Sequence, residues 1–98
     1  LESAYESALA IELADQGIPF ARQVAISAKY KGHDLGCGFR ADVIVDQQLL
    51  VEVKSVEKLA PVHTAQLITY LKLLRFKRGF LLNFNGKTLK EGIRRISI

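Results

Sequence analysis

Leu1, Tyr5, Ala8, Leu9, Ile11 and Leu13 recur near helical spacing, and Gly17 is a natural stop, so the chain is predicted to open with a helix over residues 1–16. From Val24 to Tyr30 apolar and polar positions alternate, which predicts a strand. "KGHDLG" has turn chemistry, and "CGFRADVIV" begins a second strand. "DQQ" reverses the chain into a third strand, "LLVEVKSV", completing an antiparallel meander. Pro61 then opens "PVHTAQLITYLKLLR", a helix with proline in its first turn and basic residues at its end. "GFLLNF" is a continuous apolar run, predicted to be a strand covered on both faces. "NG" closes it, and "GIRRISI" supplies a short final strand. The expected architecture is α/β, an αβββαβ core with a mixed sheet in a single domain over residues 1–98. The strand after the second helix should lie parallel to the one before it, through a right-handed crossover.

Three charges interrupt these apolar runs. With Asp46, Gln47 and Gln48 as the turn, Val45 lies opposite Leu49, and counting back sets Asp42 across from Glu52. Lys54, two residues further on, emerges on the same face as Glu52, while Val43, Val45, Val51 and Val53 point the other way into a core. Two carboxylates at that separation repel unless a cation lies between them or one takes a proton. Magnesium suits two carboxylate oxygens while keeping waters and phosphate oxygens in its shell. Chemically this is an arrangement for metal-dependent phosphodiester hydrolysis. The plainer alternative is a solvated strand face with a weak Glu–Lys pair.

The second helix carries His63, Gln66 and Tyr70 as a polar stripe beside the apolar Leu67, Leu71 and Leu74. Such a helix borders a cleft, where Gln66 would bond a water or phosphate and Tyr70 a nucleic-acid backbone. In the plainer alternative, His63 and Gln66 cap and solvate the helix and Tyr70 packs its ring. For His63 that alternative is the stronger.

Composition narrows the classes further. The chain has 98 residues, 49% hydrophobic and 24% charged, enough for one core without staples. Its net charge of +4 is a mild bias toward anionic partners such as nucleic acid. No basic-aromatic stripe for stacking single-stranded bases is present. The lone Cys37 has no internal disulfide partner, which fits a reducing, cytoplasmic setting. Zinc-finger spacing and membrane-length apolar runs are absent, and no secretory signal is visible, although a chain that starts without Met reads as a trimmed fragment. Arg22, Lys29, Lys31, Arg40, Lys72, Arg75, Lys77, Arg78 and the cations of "KTLKEGIRR" are candidates for phosphate contacts. Arg40 leads them, because its parity matches Asp42.

The stretches "LESAYESAL", "RQV", "YKG", "GFRADVIV", "VEVKSVE", "PVHTAQLITYLKLL", "GFLLNFN" and "LKEGIRRI" together resemble the GxxExxY proteins, a bacterial and archaeal group within the PD-(D/E)XK nuclease superfamily. Glu2 and Tyr5 match the Glu and Tyr of the group's name, whose Gly would fall before Leu1. Ala41 stands where the superfamily's name has proline. The resemblance implies a restriction-endonuclease-like core that cleaves DNA with Mg2+, or Mn2+ as substitute. It assigns metal binding to Asp42, Glu52 and Glu2, with Glu6 as the rival of Glu2, and water activation or transition-state stabilisation to Lys54. Gln66 and Tyr70 match the Q-x-x-x-Y helix motif of the exonuclease branch. A domain this small would need a homodimer or another partner to grip two strands. The competing expectation is a catalytically silent nucleic-acid-binding or protein-interaction module on the same scaffold.

Overall fold

The computed structural model describes residues 1–36, 38–85 and 88–98, so the lone cysteine at position 37 and the glycine of the predicted "NG" turn lie outside the described residues. Helix α1 spans Glu2–Asp15, strand β1 Phe20–Ile26, a small hairpin β2 Lys29–Tyr30 and β3 His33–Asp34, then β4 Phe39–Val45 and β5 Leu49–Lys54. Helix α2 covers Pro61–Leu74, followed by β6 Arg78–Asn83, a 3-10 turn Leu89–Gly92 and β7 Ile93–Ser97. The main sheet has the order β1-β4-β5-β6-β7, antiparallel except for the parallel β5–β6 pair. This is the mixed α/β architecture expected from the sequence. No described helix is long and apolar enough to cross a membrane.

The end of α1 and the start of α2 follow from their sequences. Gly17 takes φ 69, and the Ile18 N–H donates back to the Leu13 carbonyl at 3.0 Å. At the start of α2 the Ala60 N–H donates to His63 Nδ1 at 2.9 Å, so His63 closes the first turn. That is the plainer of its two predicted roles. Leu67 and Leu71 are fully buried and meet the sheet at Gly79, where an added Cβ would sit 3.1 Å from the Leu50 carbonyl and 3.3 Å from each leucine. The missing side chain is what lets α2 approach so closely.

Three expectations are corrected. The first strand runs from Phe20 to Ile26 rather than from Val24 to Tyr30, since residues 29–34 fold into their own hairpin. Helix α1 buries Glu6 and Ala10, while Ile11 is 62% exposed, so a polar residue faces the sheet where apolar ones were expected. In β6 the burial alternates, with Gly79, Leu81 and Asn83 covered and Phe80 and Leu82 only half-covered.

Candidate metal centre

The β4–β5 turn sets everything that follows. Asp46 and Gln47 adopt left-handed φ values of 51° and 55°, and the Gln48 N–H donates to the Val45 carbonyl at 3.1 Å. Val45 pairs with Leu49, Ile44 with Leu50 and Val43 with Val51, the register expected from the sequence. There the ladder stops. The next opposed residues are Asp42 and Glu52, and their side chains replace the backbone bonds. Asp42 N–H donates to Glu52 Oε2 at 2.7 Å, and Val53 N–H donates to Asp42 Oδ2 at 2.8 Å. Each carboxyl group thus satisfies an amide of the other strand.

The same break extends into β1, where Arg22 pairs with Val43 and Val24 with Ala41 but the intervening Gln23 and Asp42 do not pair. Gln23 has φ 50. As a result Arg22 and Gln23, neighbours in sequence, both reach Glu6, which strict alternation forbids. Ala41 and Ile44 likewise pack in one core cluster despite their opposite parity. The kink aims Asp42 and Gln23 into a cleft of about 360 Å3 lined also by Glu2, Ser3, Glu6 and Val53.

Electrostatics at this break are unusual. Glu52 is only 3% exposed, and its pKa is pushed up to about 8. Burial is the main cause, and the Asp42 charge adds to it. A hydrogen bond between the two carboxyl groups raises it further, while the Asp42 N–H and the Lys54 charge pull the other way. Glu52 therefore holds a proton at neutral pH, one of the two ways that such a pair avoids repulsion.

Lys54 ends β5 half-buried, without a side-chain hydrogen bond or ion pair among the described residues. The loop after it is held from two sides. Glu2 Oε2 accepts the Ser55 N–H at 2.9 Å, and buried Asn83 clamps Val56 through both its N–H and its carbonyl, each at 3.0 Å. Tyr5 stacks on Phe84 with ring centroids 4.5 Å apart, fixing the start of α1 against the end of β6. Glu6 is buried with its charge met by Arg22 Nη2 at 2.8 Å and by Gln23 Nε2 at 2.6 Å. Arg22 is thereby committed to Glu6 rather than to a phosphate. Gln23 also reaches toward Asp42 Oδ1 at 3.4 Å, a long and weak contact.

Gln66 Nε2 donates to the Tyr70 hydroxyl at 3.1 Å, so the two motif residues do form a unit. Tyr70, however, lies in the core against Phe39 with centroids 5.7 Å apart, and only Gln66 is exposed. Their described bonds do not reach Asp42, Glu52 or Lys54. Gln23 and Asn83 were not anticipated from the sequence. Asn83 had a signal, as the one polar residue in "GFLLNF", because a buried amide needs partners.

A hard cation fits this donor set in part. Asp42 and Glu52 each spend one oxygen on a backbone amide, and both are hard oxygen ligands of the kind magnesium takes one or two at a time. Among the described residues no three His, Cys, Asp or Glu side chains converge on one point, although Glu2 and Glu6 line the cleft with Asp42.

A family model described as the PD-(D/E)XK nuclease superfamily matches residues 1–96. No curated protein and no solved structure matches the chain.

Proposed function

The chain belongs to the PD-(D/E)XK nuclease superfamily, and on that footing we propose that it is a divalent-metal-dependent nuclease that hydrolyses DNA. The observation that carries this reading is the reciprocal pair of carboxylate–amide bonds across the β4–β5 break. It spends backbone pairing to bring two acids together beside a lysine. Asp42 and Glu52 would hold magnesium or manganese, with Glu2 at the edge of the cleft as the third acid. When bound, the ion supplies an activated water and Lewis-acid stabilisation of the phosphate. Asp42, aimed into the cleft, would provide one oxygen ligand. Glu52 must give up its proton to bind, so metal affinity should rise with pH up to about 8. Lys54, without a side-chain hydrogen bond or ion pair among the described residues, would orient the water or stabilise charge growing on the phosphate. The Gln66–Tyr70 unit would contact the nucleic acid through exposed Gln66, with Tyr70 holding that amide in place. Within the superfamily we place the chain in the GxxExxY group on Glu2 and Tyr5, as one domain acting in the cytoplasm, with a second copy or partner needed to embrace a duplex.

The test is cleavage of single-stranded, double-stranded and branched DNA with magnesium or manganese, comparing wild type with Lys54→Ala. Wild type should cut, and the variant should lose roughly 10^2- to 10^4-fold in rate while keeping its metal-induced thermal stabilisation. No wild-type cleavage on any substrate, with DNA binding unchanged by chelator, would instead favour a silent binding module.

A further inference from the structure

A second cleft among the described residues, of about 750 Å3, lies not at the acids but at the other end of the sheet, between the β4–β5 turn and the end of α2. Its lining includes Arg75, Lys77 and Arg78, all exposed, and the side chains of these three make no ion pair or hydrogen bond among the described residues. The carboxylate in the cleft, Asp46, is engaged by Gln48 Nε2 at 2.9 Å. Three cations against one acid leave the lining with a charge of about +2 at neutral pH.

Backbone strain collects at the same place. Five described non-glycine residues adopt left-handed φ, and three of them, Asp46, Gln47 and Arg75, line this cleft. Arg75 ends α2 at φ 61, a position that glycine or asparagine normally takes, and an arginine there costs about 1 kcal/mol. The Phe76 N–H bond back to the Leu71 carbonyl at 2.9 Å would form equally well with glycine at 75. Strain of this kind that the fold does not require points to a use for the side chain.

We propose that this cleft is a second anion subsite, which holds the phosphodiester backbone of the nucleic acid at a distance from the bond that is cut. The inference rests on the nuclease reading for the identity of its ligand. Leu49 in the cleft lies three residues before Glu52 and five before Lys54 along β5, roughly 10–17 Å at strand rise. One duplex strand carries a phosphate per roughly 3.4 Å of axis, so a bound strand would span the gap in about 3–5 nucleotides. The acids at the metal centre repel phosphate when no ion is bound, and these cations supply affinity that does not depend on the metal.

The test measures binding of a labelled 20-nucleotide DNA, single- and double-stranded, to the full chain in chelator over a salt series. Arg75→Gln/Lys77→Gln/Arg78→Gln should bind about 10- to 100-fold more weakly at low salt, with the log–log salt slope shallower by about 2–3. The comparator, Gln16→Glu/Lys58→Glu, lowers the net charge by the same three at exposed positions outside the cleft. Equal losses in the triple variant and the comparator, or no DNA binding by wild type, overturn the proposal. Arg75→Gly decides the matter if the triple variant fails to fold: it should melt no lower than wild type yet bind several-fold more weakly, and unchanged binding overturns the subsite. Since no metal is present and no cleavage is read, an inactive enzyme with a working subsite and an active enzyme without one give different results.

Discussion

Asp42→Asn is expected to abolish metal-dependent cleavage, by on the order of 10^3-fold or more, and to remove thermal stabilisation by magnesium or manganese. The amide can still accept the Val53 N–H through its oxygen, so the cross-strand contact at 2.8 Å survives and the fold should be little changed. What disappears is the negative charge in the cleft. The Asp42 contribution to the raised pKa of Glu52 disappears with it, so Glu52 should titrate nearer the ordinary carboxylate range. Parallel measurement of melting temperature with and without manganese, and of cleavage rate, checks both effects. An Asp42→Asn protein that still gains stability from metal would place the ion elsewhere.

The second large effect is on the pH dependence of the metal-free fold. Glu52 titrates at about 8 in the folded protein against an ordinary value of 4.5, because burial and then the Asp42 charge disfavour its ionised form. Between those values the folded state holds a proton that the unfolded chain has released. Stability from this group is therefore complete below about pH 4.5 and is lost as pH rises through about 8, in total roughly 3–5 kcal/mol. Glu52→Gln should flatten that slope, leaving the variant more stable than wild type at pH 8 in chelator. The difference between the two proteins in urea midpoint from pH 5 to pH 8.5 isolates this group from the rest. A constant difference across that range would show that Glu52 titrates normally. Saturating manganese should restore wild-type stability at pH 8, since the ion takes the place of the proton.

Much of this site was legible from the chain because hairpin register is a local property. The three-residue turn Asp46-Gln47-Gln48 sets Val45 against Leu49, and period-two counting then carries Asp42 to Glu52. The parallel β5–β6 pair followed from the helix between them. What counting could not reveal is the break at the acids themselves. A left-handed Gln23 has no local sequence signal, and it sends Arg22 and Gln23 to the same partner, Glu6. Alternation fails on β1 and β4 at the same point, and the far boundary of the first strand is set separately, by the hairpin that residues 29–34 form. Tyr70 was obscure for a different reason. A tyrosine carries an apolar ring and a polar tip, and here the ring went to the core against Phe39 while the hydroxyl met Gln66. Asn83 was readable in principle, but its partners on residue 56 are distant in sequence and set by the crossover.

That Asp42 and Glu52, one acid from each of two neighbouring strands, would together hold a divalent ion is the claim on which the enzymatic reading stands. Manganese soaked into crystals at pH 8 and located by its anomalous scattering tests it most directly. A peak within about 2.5 Å of both an Asp42 oxygen and a Glu52 oxygen, lost in Asp42→Asn, is the predicted result. A peak at any other group, or none at saturating manganese, would contradict it.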